Sequence, residues 1–203
     1  MGVATWETDP FPHAVIDGLW DDADLQAAAS EFPPGTDPRW ITYGGEEERG
    51  KMCGAENMQG PAVRRMLARM KNATPLLEEL TGIRGLVADT LGGGMHMTGE
   101  GGRLAVHRDF NVHPSTGLER RLNLLVFLNP QWDKSWGGVL YLGEHREIEI
   151  LPLSNRTAIF ECGPASWHGH PEPITGGHWR KSLACYFYAP PRGPIRPDST
   201  VWL

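Results

Sequence analysis

After Gly85 the chain breaks into short apolar runs separated by Gly, Pro, Asn and Asp, and this rhythm limits the fold more than any other feature. The β-prone runs are Leu86–Leu91, Met95–Thr98, Leu104–His107, Arg121–Leu128, Val139–Leu142, Glu147–Leu151, Thr157–Cys162 and Ser182–Ala189. Each is too short for a helix and lacks helical period, so regular spacing of turns predicts a sandwich or barrel. In the run Arg121–Leu128 the residues Leu122, Leu124, Val126 and Leu128 share one face, because strand side chains alternate. That face is wholly apolar and suits a covering layer of helices. The opposite face, with Arg121, Asn123, Leu125 and Phe127, is mixed and reads as a pocket wall.

The helices come from the first 85 residues, read as mainly helical or irregular. Asp21 can cap a helix that puts Leu25, Ala28, Ala29 and Phe32 on one face, ended by Pro33-Pro34. Pro61 opens a second, with Val63, Met66, Leu67 and Met70 in register, and Thr74-Pro75 opens a third that stops near Gly82. Residues 33–60 read as a long polar loop. One domain over 1–203 is expected: helical support over 1–85, a β core over 86–190 and a tail over 191–203. Composition narrows the function. A net charge of -6 argues against a general nucleic-acid binder. No apolar stretch reaches membrane-spanning length, and the first residues lack a secretory pattern. Three cysteines without CxxC spacing fit reduced thiols, hence a cytoplasmic location. The glycines of 92–102 lack GxGxxG or GK[ST] spacing and are assigned to turns and close strand approach.

Chemistry concentrates at His107-Arg108-Asp109, where an imidazole and a carboxylate two residues apart can face one ion. A third ligand must come from elsewhere. His168 is the first candidate, and His170 and His178 compete with it. Two histidines and one carboxylate on one side of a metal leave open positions on the other, the arrangement of non-haem Fe(II) oxygenases. Arg180 and Ser182 share a strand face and can hold one carboxylate together. Arg103, Arg108, Arg120 and Arg121 are read as solvated strand-end charges, and His96, His113 and His145 as surface or pocket-lining groups.

With these pieces together, the sequence resembles the prolyl-hydroxylase-like branch of the 2-oxoglutarate/Fe(II)-dependent oxygenases. The resemblance runs from about Leu91 to Ala189, through Gly101–Asp109, Arg120–Trp132, Trp136–Leu142, Trp167–Pro173 and Arg180–Leu183. Pro12–Asp17 is similar to the opening strand of such proteins. It implies a double-stranded β-helix, a jelly-roll or cupin-like core, with the N-terminal helices on the larger sheet. It also implies iron on His107, Asp109 and His168, and 2-oxoglutarate with O2 as co-substrates, with ascorbate an optional stimulant. The distal carboxylate of 2-oxoglutarate would meet Arg180 and Ser182, in a pocket walled by Leu125 and Phe127, with Asn123 also assigned to the co-substrate site. Phe127 departs from the family, many members of which carry a tyrosine there. The implied reaction is hydroxylation of a C–H bond with release of succinate and CO2. Asp109 favours hydroxylation over the halogenation seen where the carboxylate is missing. The substrate expected is a small, amino-acid-derived molecule. A peptidyl proline is the alternative, and a non-catalytic cupin-like metal binder a further one.

Overall fold

Two antiparallel sheets face each other, and the three helices lie against the outer side of the larger one. The structure, a computed structural model, describes residues 5–195 and 197–203. The strands are β1 (His13–Asp17), β2 (Trp40–Thr42), β3 (Lys51–Gly54), β4 (Val87–Thr98), β5 (Leu104–Arg108), β6 (Glu119–Phe127), β7 (Leu140–Leu142), β8 (Ile148–Ile150), β9 (Arg156–Glu161), β10 (His168–His170), β11 (Arg180–Ala189) and β12 (Val201–Trp202). The seven-stranded sheet has the order β1-β9-β6-β11-β4-β3-β2, and the five-stranded sheet β12-β5-β10-β7-β8. This is the jelly roll expected, with the helices where they were expected.

The helices form for the anticipated reasons. In α1 (Asp22–Ser30) the Asp21 side chain accepts a hydrogen bond from the Asp24 amide at 3.0 Å. In α2 (Pro61–Lys71) the residues Val63, Met66, Leu67 and Met70 are all buried. α3 (Thr74–Thr81) ends at Gly82, which takes φ +72° as its left-handed cap. These apolar stripes meet Leu122, Leu124 and Val126 of β6 and Leu183, Cys185 and Phe187 of β11 in one cluster. A second cluster, with Phe11, Phe127, Leu140, Leu142, Ile150 and Phe160, fills part of the space between the sheets.

The long polar loop over 33–60 is corrected. It holds β2 and β3, which extend the larger sheet beyond β4, and a 3-10 turn at Glu56–Met58. Among the described residues, the part before Gly85 thus holds three strands as well as three α-helices, since β1 also pairs with β9. Leu86–Leu91 and Met95–Thr98 are one long strand, β4, kinked where its pairing with β11 slips between Ala184 and Tyr186. Gly93 sits at that kink, where a Cβ would come within 2.7 Å of the Ala184 carbonyl. The tail, too, is partly strand: β12 pairs with β5, placing Trp202 opposite His107.

Candidate functional site

The pocket face of β6 and β11 looks across at β5 and β10, and the predicted ligands meet between them. His168 of β10 stands directly opposite His107 of β5 in the antiparallel register, which brings their ring centroids to 4.4 Å. Asp109 follows just beyond β5. Ligand atoms of His107, Asp109 and His168 all lie within 4.8 Å of one another. His107 Nε2 is 3.5 Å from Asp109 Oδ1, and His168 Nε2 is 3.4 Å from Asp109 Oδ2. Gly169 lets the two strands close. A Cβ there would sit 2.6 Å from the Ala105 carbonyl oxygen.

Both rings are oriented from behind. His107 Nδ1 lies 2.9 Å from the Ala105 carbonyl, and His168 Nδ1 lies 2.9 Å from the Ser166 carbonyl. A carbonyl only accepts, so each Nδ1 carries the proton and each Nε2 presents its lone pair to the gap. Asp109 is fixed as well. Asn123 Nδ2 donates to its Oδ2 at 2.7 Å, and Arg120 Nη2 pairs with the same oxygen at 3.0 Å. Burial by itself would raise the carboxyl's pKa. The Arg120 charge outweighs it and holds the group well below the usual range. Burial, aided by His168, lowers the pKa of His107, so its ring stays neutral. A charged carboxylate and two imidazoles oriented with Nε2 toward the gap fit a divalent cation.

Arg120 reaches this site through a bulge that the sequence pattern did not show. β6 and β11 slip register between Phe187 and Tyr188, so Arg120 shares the pocket face with Asn123, three positions on. It is 2% exposed, donates from Nε to Asn123 Oδ1 at 2.9 Å and lies over the Tyr186 ring. Reading Arg120 and Arg121 as solvated is therefore corrected: Arg121 is buried too, and it pairs with Glu161 at 3.2 Å. Asn123 lines the cleft, and its amide engages Asp109 and Arg120.

Beyond the three ligand candidates the cleft continues to Arg180, Ser182, Thr98, His170 and Lys51. Arg180 is 5% exposed, donates from Nε to the Gly138 carbonyl at 2.8 Å and lies 5.0 Å over the Phe127 ring. Among the described residues it has no carboxylate partner. Burial alone lowers its pKa to about 10. A guanidinium held charged in a closed cleft without an anion fits the distal carboxylate of a keto acid. Leu125 walls this cleft, and Ser182 stands opposite Phe127 in register. His170 faces the same cleft and is not in the three-residue metal group, while His178 stacks on Trp136 at 3.6 Å elsewhere. His96 lines the cleft and is held down to about 3 by burial and by Lys51. His113 accepts from the Ser115 and Thr116 amides, and His145 is exposed.

A separate cavity of about 410 Å³ opens on the far side of Asp109. Arg108, Asn111, Arg120 and Cys162 line it, and Arg192, Ile195 and Asp198 of the tail form its outer wall. The tail also reaches the metal group itself, where the Trp202 ring lies 5.0 Å from that of His107. Neither role was visible in the sequence of the tail, since both depend on pairing with a distant strand.

Comparison with known proteins agrees with this geometry. Residues 93–188 match the family model of the 2OG-Fe(II) oxygenase superfamily. The mouse (Mus musculus) protein prolyl 3-hydroxylase OGFOD1 is 32% identical over 79 residues, which is 35% of this chain and 14% of that protein. The chain thus spans under one fifth of this curated relative's length. Among solved structures, a prolyl-4-hydroxylase of Pseudomonas putida superposes with a TM-score of 0.64 at 17% identity, over 87% of this chain and 92% of that one. A Trichoplax adhaerens prolyl hydroxylase, solved with a hypoxia inducible factor peptide fragment, gives 0.64 at 15% identity, over 87% and 83%. Among the described residues, no helix is long and apolar enough to cross a membrane. The jelly roll, the His-Asp-His group and the matching segment agree: residues 93–188, just under half of the chain, form a 2OG-Fe(II) oxygenase-like domain, similar in fold to prolyl hydroxylases.

Proposed function

We propose that this chain is a 2-oxoglutarate-dependent dioxygenase that hydroxylates a C–H bond of a prolyl residue. The observation that carries the co-substrate is the buried, carboxylate-free Arg180 in the same cleft as His107, Asp109 and His168. The last three would hold Fe(II), and Arg180, with Ser182 beside it, would hold the distal carboxylate. Held together there, Fe(II) and the keto acid would let O2 act as the oxidant, one oxygen atom entering the unactivated C–H bond and the other entering succinate as CO2 is released.

The protein's own residues set the stage for that chemistry. Ala105 and Ser166 hold the imidazoles in the tautomer that presents Nε2. Arg120 and Asn123 keep Asp109 ionised and turned toward them. Phe127 and Leu125 keep water from the Arg180 end, so the ion pair forms in a low-dielectric cleft. The cavity beyond Asp109 would receive the substrate, with Arg108, Asn111 and Arg192 within reach of backbone carbonyls. The prolyl reading draws on the relative and the structural neighbours described above. A small, amino-acid-derived molecule is the second reading, since about 410 Å³ lies within the range of small-ligand pockets.

The test is direct. Under anaerobic conditions, Fe(II) plus 2-oxoglutarate is expected to give the weak visible charge-transfer band of the chelate. With O2, proline-containing peptides are expected to stimulate succinate release. Fe(II) binding without the band would leave a cupin-like metal binder. Stimulation by free amino acids and not by peptides would select the second reading.

A further inference from the structure

One histidine of the cleft stands outside the metal-ligand group. His170 stands two residues beyond His168 on β10, hence on the same face, and is 3% exposed. Its Nδ1 is sealed from solvent and, among the described residues, has no hydrogen-bond partner. Buried polar groups are almost always paired, and an unpaired one in a cleft marks where a ligand atom belongs. His170 is not in the group that gathers the metal-ligand atoms. It lines the cleft with Arg180, Thr98 and Ser182. Lys51 lies there as well, but its ammonium is already held by Glu48 at 3.2 Å. Phe127, opposite Ser182, offers no hydroxyl.

We infer that His170 is a positioning residue for the co-substrate, donating a hydrogen bond to the carboxylate that Arg180 pairs with. The inference rests on reading the cleft as the 2-oxoglutarate site. An imidazole N–H supplies a directional donor to an anion, and such charge-assisted bonds are the stronger kind. Arg180 supplies the charge, and His170 fixes the rotation of the carboxylate about it. The clasp between β5 and β10 at Gly169 sets His168 and His170 together, so the metal end and the carboxylate end of the cleft share one rigid strand.

The experiment is calorimetric titration of the Mn(II)-loaded protein, which reads binding without turnover. The probes are 2-oxoglutarate and 2-oxobutyrate, a keto acid without the distal carboxylate. His170→Phe keeps a ring and removes the donor. It is expected to weaken 2-oxoglutarate by about ten- to one-hundred-fold and leave 2-oxobutyrate unchanged. His170→Gln restores an N–H and is expected to recover most of the loss. It also serves alone if the phenylalanine variant does not fold. Unchanged 2-oxoglutarate affinity in the variants would overturn the inference. So would equal weakening of both keto acids, which would mean lost packing. If the unaltered protein binds the two keto acids equally and Arg180→Ala changes nothing, the co-substrate reading itself falls, a result separable from failure of His170 alone.

Discussion

At Asp109 a half-buried carboxylate stays ionised because its neighbours outweigh the loss of water. Arg120 is the largest of them, and it is more buried than the group it serves. A buried pair of this kind gives little net stability, but breaking it is costly, because one charge is then stranded. Arg120→Met is therefore expected to destabilise the fold by about 3 kcal/mol or more near neutral pH, read by denaturant unfolding. The pH dependence has a definite sign. Asp109 in the folded protein has its pKa depressed, so its contribution is present above the unfolded value and lost as pH falls through the folded one. Without Arg120 the folded pKa rises, and Fe(II) affinity, which needs the carboxylate, is expected to fall off at higher pH than in the unaltered protein. An Fe(II) titration series across pH whose midpoint does not move would show that Arg120 does not govern Asp109.

Among the elements, the contact of β5 with β10 has the least tolerance. The backbones approach so closely at Gly169 that any side chain must push them apart. Gly169→Ala is expected to separate His107 from His168 and weaken Fe(II) binding more than ten-fold, with helix content by circular dichroism unchanged. Retained iron affinity would mean that the strands can shift without cost to the site. The elements also show what could be read from the chain beforehand. β6 was legible because alternation over Leu122, Leu124 and Val126 is a local signal. The gathering of His107, Asp109 and His168 near Arg180 was legible because residue types and strand spacing pointed to it, and the structure brings the four into one cleft. β2, β3 and β12 were not: they are short edge strands whose residues carry little apolar pattern, and only their partners make them strands. Arg120 was hidden for a related reason. A bulge turns it inward, and a bulge is a property of two strands, which no count along one of them reveals.

In the whole molecule, the helices protect one side of the larger sheet, and the smaller sheet must manage its own boundary. β12 does this at the β5 end. Its two residues pair with Arg108 and His107, and the Leu203 amide donates to the Val106 carbonyl at 3.0 Å. Without it, the strand that carries His107 would present a row of unsatisfied amides and carbonyls, a template for another chain. The same short strand that lays Trp202 against His107 thus also acts as a guard against self-association. Val201→Pro removes one N–H from this guard and cannot hold the extended pairing. It is expected to make the protein associate in a concentration-dependent way, measured by sedimentation velocity, while the helices and the larger sheet stay folded. A variant that remains monodisperse would show that β5 is shielded by other means. If the expectation holds, solubility and metal-site geometry are two consequences of one edge, and a change that loosens the tail will be felt first as aggregation, before any loss of fold.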